Sequence, residues 1–202
     1  MGRLTDVVKH LIIINVIVYV TFTLILPQLQ NYSILFMPWD QSDRFAPVQL
    51  VTHMFMHDPD GITHLLFNMM GLFFLGPPIE QVLGKQRFLI FYLACGFSAM
   101  GLHMLLSFFG VIGPVAVVGA SGAIMGIFIA FAILFPNTQL MLLFPPIPIK
   151  AKYLMLALVA FDLFSGLGGL STGIAHFAHL GGFLSGFALM LMWGFFDIRR
   201  FK

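Results

Sequence analysis

The sequence predicts an all-α polytopic membrane protein, a bundle of six transmembrane helices with both termini in the cytoplasm. Three observations carry that expectation. Of 202 residues, 59% are hydrophobic and only 9% charged, against roughly 25% charged in an average soluble domain, and mean hydropathy is +0.98. Long apolar runs recur at lengths suited to a bilayer-crossing helix of ~20 residues, without the short alternation of a membrane β-barrel. The basic residues fall on one side of those runs. With 10 Lys and Arg and 8 Asp and Glu, the chain cannot cover a water-facing surface, which excludes a soluble globular enzyme. About six spans would take ~120 residues, so residues 1–202 read as a single membrane domain with no room for a soluble one.

The expected helices lie at about 11–26, 62–82, 88–109, 121–135, 153–167 and 177–196, punctuated by Pro27, Pro136 and the Pro145–Pro148 cluster. The first run follows a short tail with Arg3 and Lys9, as a signal peptide would. No small-x-small cleavage site follows it, so it reads as a retained anchor. Threading six spans puts Arg3, Lys9, Lys85, Arg87, Lys150, Lys152, Arg199, Arg200 and Lys202 on one face. Arg44 alone falls on the other, beside Asp40, Asp43, Asp58 and Asp60. The positive-inside rule makes the first face cytoplasmic. No basic patch suits nucleic acid, and the single cysteine, Cys95, excludes an intrachain disulfide and reads as a small core residue.

Between the first two spans, residues 28–61 mix Phe36, Met37, Trp39 and Phe45 with charges. That composition suits either an element half-immersed in the outer interface or an ordinary ordered loop. Asn31-Tyr32-Ser33 is a formal glycosylation sequon to which no weight is given.

The fourth run is short. From Gly119-Ala120-Ser121-Gly122 to Pro136, about 15 residues span only ~22 Å, less than the ~30 Å hydrocarbon core. Ser121 would then sit ~8 Å below the outer interface, preceded by irregular backbone from Gly113 to Val118. Such backbone survives at membrane depth only when buried in protein or lining a wet cavity, so the sequence implies a polar cavity with a serine at its floor. A serine at a helix start is also a favoured N-cap. The flanking glycines admit a ligand, and a helix N-terminus stabilises developing negative charge.

The sixth span begins His176-Phe177-Ala178-His179 from the same side. Ala178, Gly182 and Gly186 form a small-residue ridge that matches Gly122 and Gly126 on the fourth span. Packing of the two ridges would bring the His179 imidazole beside the Ser121 hydroxyl, where it could act as general base and then acid. Alternatively, His179 is an interfacial histidine satisfied by backbone. On the second span, His64 and Asn68 share one helix face. They could stabilise an oxyanion together with the Ser121 amide, or simply join helices.

These residues resemble the rhomboid family of intramembrane serine proteases. The resemblance rests on Gly119-Ala120-Ser121-Gly122, on His64-xxx-Asn68, on the stretch from Ala178-His179 to Gly186, and on Gln49 to His57. It covers about residues 45–190 in the minimal six-helix form. It implies a Ser121–His179 dyad cleaving transmembrane protein substrates near their outer end, with His64 and Asn68 as oxyanion donors and no cofactor, metal or nucleotide. It also implies a first loop, residues 28–61, in the outer leaflet. The fifth helix and a cap loop at about 168–176 would gate lateral access of substrate. The sequence departs from the family at Val48-Gln49, where many members carry Trp-Arg, and at Met125, where many carry a tyrosine stacked on the histidine.

Three other classes fit the residues less well. A catalytically inactive relative that binds transmembrane helices would lack the dyad residues, which are present. A small transporter would use intramembrane ionisable residues such as Glu80 and Asp162, but Glu80 lies near a helix end and Asp162 is a single acid without an evident partner. His53-xxx-His57 with His64 lacks the HExxH of a zinc protease, so His53 and His57 read as structural, as do His10, His103 and His176. The scarcity of membrane charge leaves the expected chemistry to neutral Ser, His and Asn groups. The compact form suggests a prokaryotic plasma membrane.

Overall fold

The structure, a computed structural model, describes residues 4–32, 34–40, 42–59, 61–142, 145–168 and 175–201. Arg3, Ser33, Asp60, Lys202 and most of the expected cap loop lie outside these residues. All six expected runs are helical. Helix α1 (Asp6–Val20) continues through a π-type stretch to Ile25. A short α2 (Gln49–Thr52) precedes α3 (Ile62–Leu83), α4 (Lys85–Phe108) and α5 (Ser121–Leu134). Helices α6 (Ala151–Leu167) and α7 (His176–Met192) complete the bundle. Among the described residues, Asp6–Ile25, Ile62–Leu83 and Lys85–Phe108 are long and apolar enough to cross a membrane, and α5 and α7 are shorter apolar helices. Ile17, Leu24, Phe109, Phe164 and Leu184 stand exposed on the outside, a surface suited to lipid rather than water.

Helix α1 begins earlier than its apolar run because α3 caps it. The Glu80 carboxylate, only 3% exposed, accepts from the Val7 N–H at 3.1 Å and the Val8 N–H at 2.9 Å. These are first-turn donors that the helix itself leaves unpaired, and the negative charge sits at the positive end of the helix dipole. Glu80 is thereby accounted for as a cap. A second, exposed ion pair joins Lys85 to Asp6 and adds little.

Helix α5 is apolar all round and buried nearly all round, with Ile127, Ala130, Ala132 and Ile133 fully enclosed. That pattern marks a central helix. Helix α7 packs against α4 and α5, with α6 on its other flank. The expected small-residue ridges do meet. A Cβ on Gly182 would land on the Gly122 carbonyl, and one on Gly186 would stand 2.9 Å from the Gly126 Cα. Such close approach lets two backbones pack without intervening side chains.

The first loop is fastened from within by Gln49, which is fully buried. Its amide donates to the Asn31 carbonyl at 2.6 Å and the Arg44 carbonyl at 2.8 Å, while its oxygen accepts from the Phe36 N–H at 3.3 Å. One glutamine thus ties together three points of the segment where the family carries Trp-Arg. Leu35 then exchanges two 3.0 Å backbone bonds with Val117, and the Gly119 N–H donates to the His53 carbonyl at 2.8 Å. These bonds pair part of the irregular backbone before α5, where buried polar groups need partners.

Between α5 and α6 the Pro-rich connection is more ordered than composition alone suggests. Strands β1 (Gln139–Met141) and β2 (Pro148–Lys150) pair antiparallel, Leu140 opposite Ile149. Pro148 takes the first position of its strand, where its missing N–H is tolerated. Lys152, expected as a loop charge, is buried and donates to the Phe201 carbonyl at 2.6 Å, docking the C-terminal turn against the base of α6.

Candidate active site

Ser121, His179, His64 and Asn68 line one cavity of about 660 Å³, as do Met125 and His53. Ser121 is the first helical residue of α5, and the N-cap is Ala120, which offers no side-chain bond. Of the two sequence alternatives for this serine, capping is therefore not what its hydroxyl does. The Ile124 N–H is the first to reach back into the helix, to the Ala120 carbonyl at 3.0 Å. The N–H groups of Ser121, Gly122 and Ala123 accordingly have no intrahelical acceptor.

Gly119 holds the approach to this helix end. Its φ of +111° favours glycine, and a Cβ there would stand 2.9 Å from His64 Nε2. His64 is thus set against the start of α5. Its Nδ1 lies 3.3 Å from the Asp58 N–H. A backbone N–H can only donate, so this Nδ1 accepts and the neutral ring carries its hydrogen on Nε2, the edge facing Gly119. One turn further along α3, the Asn68 amide donates to the His64 carbonyl at 2.8 Å. An amide nitrogen has two hydrogens, so a second donor remains for the cavity.

His53 and His57 occupy the structural places expected of them. His53 Nδ1 lies 2.9 Å from the Gln49 carbonyl, and the His57 ring meets the His64 ring with centroids 5.1 Å apart. Burial holds the His53 imidazole below the ordinary histidine range. Burial, reinforced by neighbouring His64, depresses His57 to about 4.

Asp162 is the residue that sequence reasoning left without a partner. It is 4% exposed, and its Oδ1 stands 2.7 Å from His176 Nδ1 and 3.2 Å from His179 Nδ1. His176, expected as a structural histidine, has Asp162 as a partner. One expectation is corrected: the site does not consist of Ser, His and Asn groups alone, because an acid lies directly behind His179. The available signal was position: Asp162 lies about one and a half turns before the end of α6 at Leu167, and His176 and His179 share a face in the first turn of α7.

A bundle of apolar helices enclosing a cavity that serine, histidine and asparagine line among apolar residues defines an integral membrane protein with a hydrolase-like constellation. The Rhomboid domain matches residues 44–195, and the chain belongs to the rhomboid family. It is 34% identical over 149 residues to the rhomboid-family protein YdcA of Bacillus subtilis, covering 71% of this chain and 66% of that one. To the zebrafish (Danio rerio) mitochondrial presenilin-associated rhomboid-like protein A it is 30% identical, covering 79% of this chain and 41% of the relative. To rhomboid protease AarA of Providencia stuartii it is 30% identical, covering 61% and 48%. The chain therefore spans between two fifths and two thirds of the length of these relatives.

Proposed function

We propose that this protein is an intramembrane serine endopeptidase acting on transmembrane segments of membrane-protein substrates. The observation that carries the reading is a serine hydroxyl at the first position of α5, not used for capping, that lines the same cavity as His179. Ser121 Oγ attacks the scissile carbonyl as its proton passes to His179 Nε2. The resulting oxyanion is met by the Ser121 N–H, His64 Nε2–H and the Asn68 amide. The imidazolium then gives its proton to the leaving amine. Water from the cavity, deprotonated by the same imidazole, attacks the acyl-enzyme and frees Ser121.

The reading includes one domain over residues 1–202, six membrane passages, both termini in the cytoplasm and the cavity on the outer side of a prokaryotic plasma membrane. The positive-inside distribution of basic residues supports it. Lipid surrounds the exposed apolar faces, and α6 with its following loop gates the approach of substrate. No cofactor, metal or nucleic acid has a part in this chemistry.

Ser121→Ala and His179→Ala are each expected to abolish cleavage of a model transmembrane substrate while the protein still folds and inserts. A fluorophosphonate probe should label wild-type Ser121 and neither variant. Undiminished cleavage by either variant, or labelling elsewhere, would sink the assignment.

A further inference from the structure

The sequence offers a dyad, but the geometry at the junction of α6 and α7 contains a third group. The Asp162 carboxylate faces His179 Nδ1 at 3.2 Å and His176 Nδ1 at 2.7 Å through the same oxygen. Its side chain is 5% exposed, those of His176 and His179 4% and 13%. Water therefore has little access to this junction. An ionised carboxylate can only accept hydrogen bonds, so both imidazoles present N–H groups to it. In a neutral imidazole, hydrogen on Nδ1 leaves Nε2 bare. The bare nitrogen lies on the opposite edge of the His179 ring, and His179 borders the cavity that Ser121 floors.

We infer that Asp162 is a positioning residue for His179, so that the site works as a Ser121–His179–Asp162 relay with His176 as the clamp that holds the acid. This inference rests on the reading of Ser121 and His179 as the catalytic pair. Asp162 would act in two ways. It selects the imidazole form able to accept the Ser121 proton at Nε2, and it faces the positive charge that appears on the ring once that proton arrives. The proton stays on the imidazole until the leaving amine takes it, and the carboxylate remains ionised throughout. No other reactant is needed.

His176 has a separate task. A carboxylate enclosed by helices needs more than one partner to hold it, and the shorter bond goes to His176. The Phe161 ring meets the His176 ring edge to face at 5.5 Å, and a Cβ on Gly166 would stand 2.9 Å from the Phe177 ring. Helix α6 is thereby fitted to the first turn of α7 on both sides of the acid. Any displacement of α6 would move the acid relative to His179, so the same helix that flanks substrate access also sets the base.

The test compares Asp162→Asn and His176→Gln with Ser121→Ala and His179→Ala, in detergent, on one model transmembrane substrate. Asp162→Asn is expected to lower kcat by on the order of 10²-fold or more, as loss of the orienting acid does in soluble serine proteases. Its KM should stay within about twofold. His176→Gln should lower the melting temperature and lower kcat by less than Asp162→Asn does, because the carboxylate itself still faces His179. Nitrogen-15 spectra of histidine-labelled wild type should show His179 carrying its hydrogen on Nδ1, a readout that holds even if Asp162→Asn fails to fold. Wild-type kcat in Asp162→Asn, equal loss of kcat in His176→Gln, or hydrogen on His179 Nε2 would each overturn the inference. Cleavage by Ser121→Ala or His179→Ala would instead overturn the dyad itself, and this inference with it.

Discussion

At the residue scale, the site divides by how each group obtains its orientation. His64 takes its tautomer from one backbone N–H, that of Asp58 at 3.3 Å, whereas Asn68 takes its rotamer from the carbonyl one turn before it. Loss of either donor should raise the barrier by about 2–4 kcal/mol. Steady-state kinetics of His64→Ala and Asn68→Ala would show this as lower kcat, and unchanged kinetics would remove the oxyanion role. His57 gives a pH prediction. Its folded value of about 4 lies below the ordinary 6.5, so between those values the unfolded chain binds more protons and stability rises with pH. The contribution, up to about 3 kcal/mol, is fully present above 6.5 and is lost as pH falls through about 4. Thermal melts of the detergent-solubilised protein from pH 4 to 7 should slope accordingly, and His57→Gln should flatten the slope. That Ser121, His179, His64 and Asn68 gather at one cavity was legible in the sequence, because each rests on a local motif and on helix periodicity. The partners of Asp162 were not, because they depend on how far α6 is inserted relative to α7, a quantity no spacing within one helix contains.

At the element scale, the bundle is held where backbones touch. The ridge of Ala178, Gly182 and Gly186 was readable as a period of four, and the structure puts it against Gly122 and Gly126. A side chain at Gly182 would meet a carbonyl oxygen, which cannot rotate away. Gly182→Ala should therefore destabilise the protein by about 1–3 kcal/mol or more and lower activity by parting α5 from α7. Gly101→Ala, where nothing lies within 4 Å of the new Cβ, is the matched control and should be neutral or slightly stabilising. Equal melting temperatures for the two variants would contradict the packing account. Gln49 shows the opposite kind of legibility. Its three loop contacts join Asn31, Phe36 and Arg44, and nothing in its immediate sequence foretells them. Likewise, the β1–β2 hairpin lies in a stretch whose prolines read only as interruptions, since pairing depends on partners that lie across the turn.

At the scale of the whole molecule, the order and approximate limits of the long helices could be read from hydropathy, because an apolar environment imposes one long-range rule on all of them, whereas the short α2 (Gln49–Thr52) could not. The same rule predicts topology. A green fluorescent protein fused after the last residue should fluoresce in bacterial cells, and an alkaline phosphatase fused there should be inactive. An active phosphatase fusion would refute the cytoplasmic terminus. What hydropathy could not supply was the use made of the few buried charges, and Glu80 is the clearest instance. Its carboxylate is satisfied by the first turn of α1. A buried carboxylate without partners is costly, and the same bonds give acceptors to amides that α1 itself leaves unpaired. One side chain therefore settles two liabilities, a charge on α3 and an uncapped end on α1, so that neither helix is complete without the other.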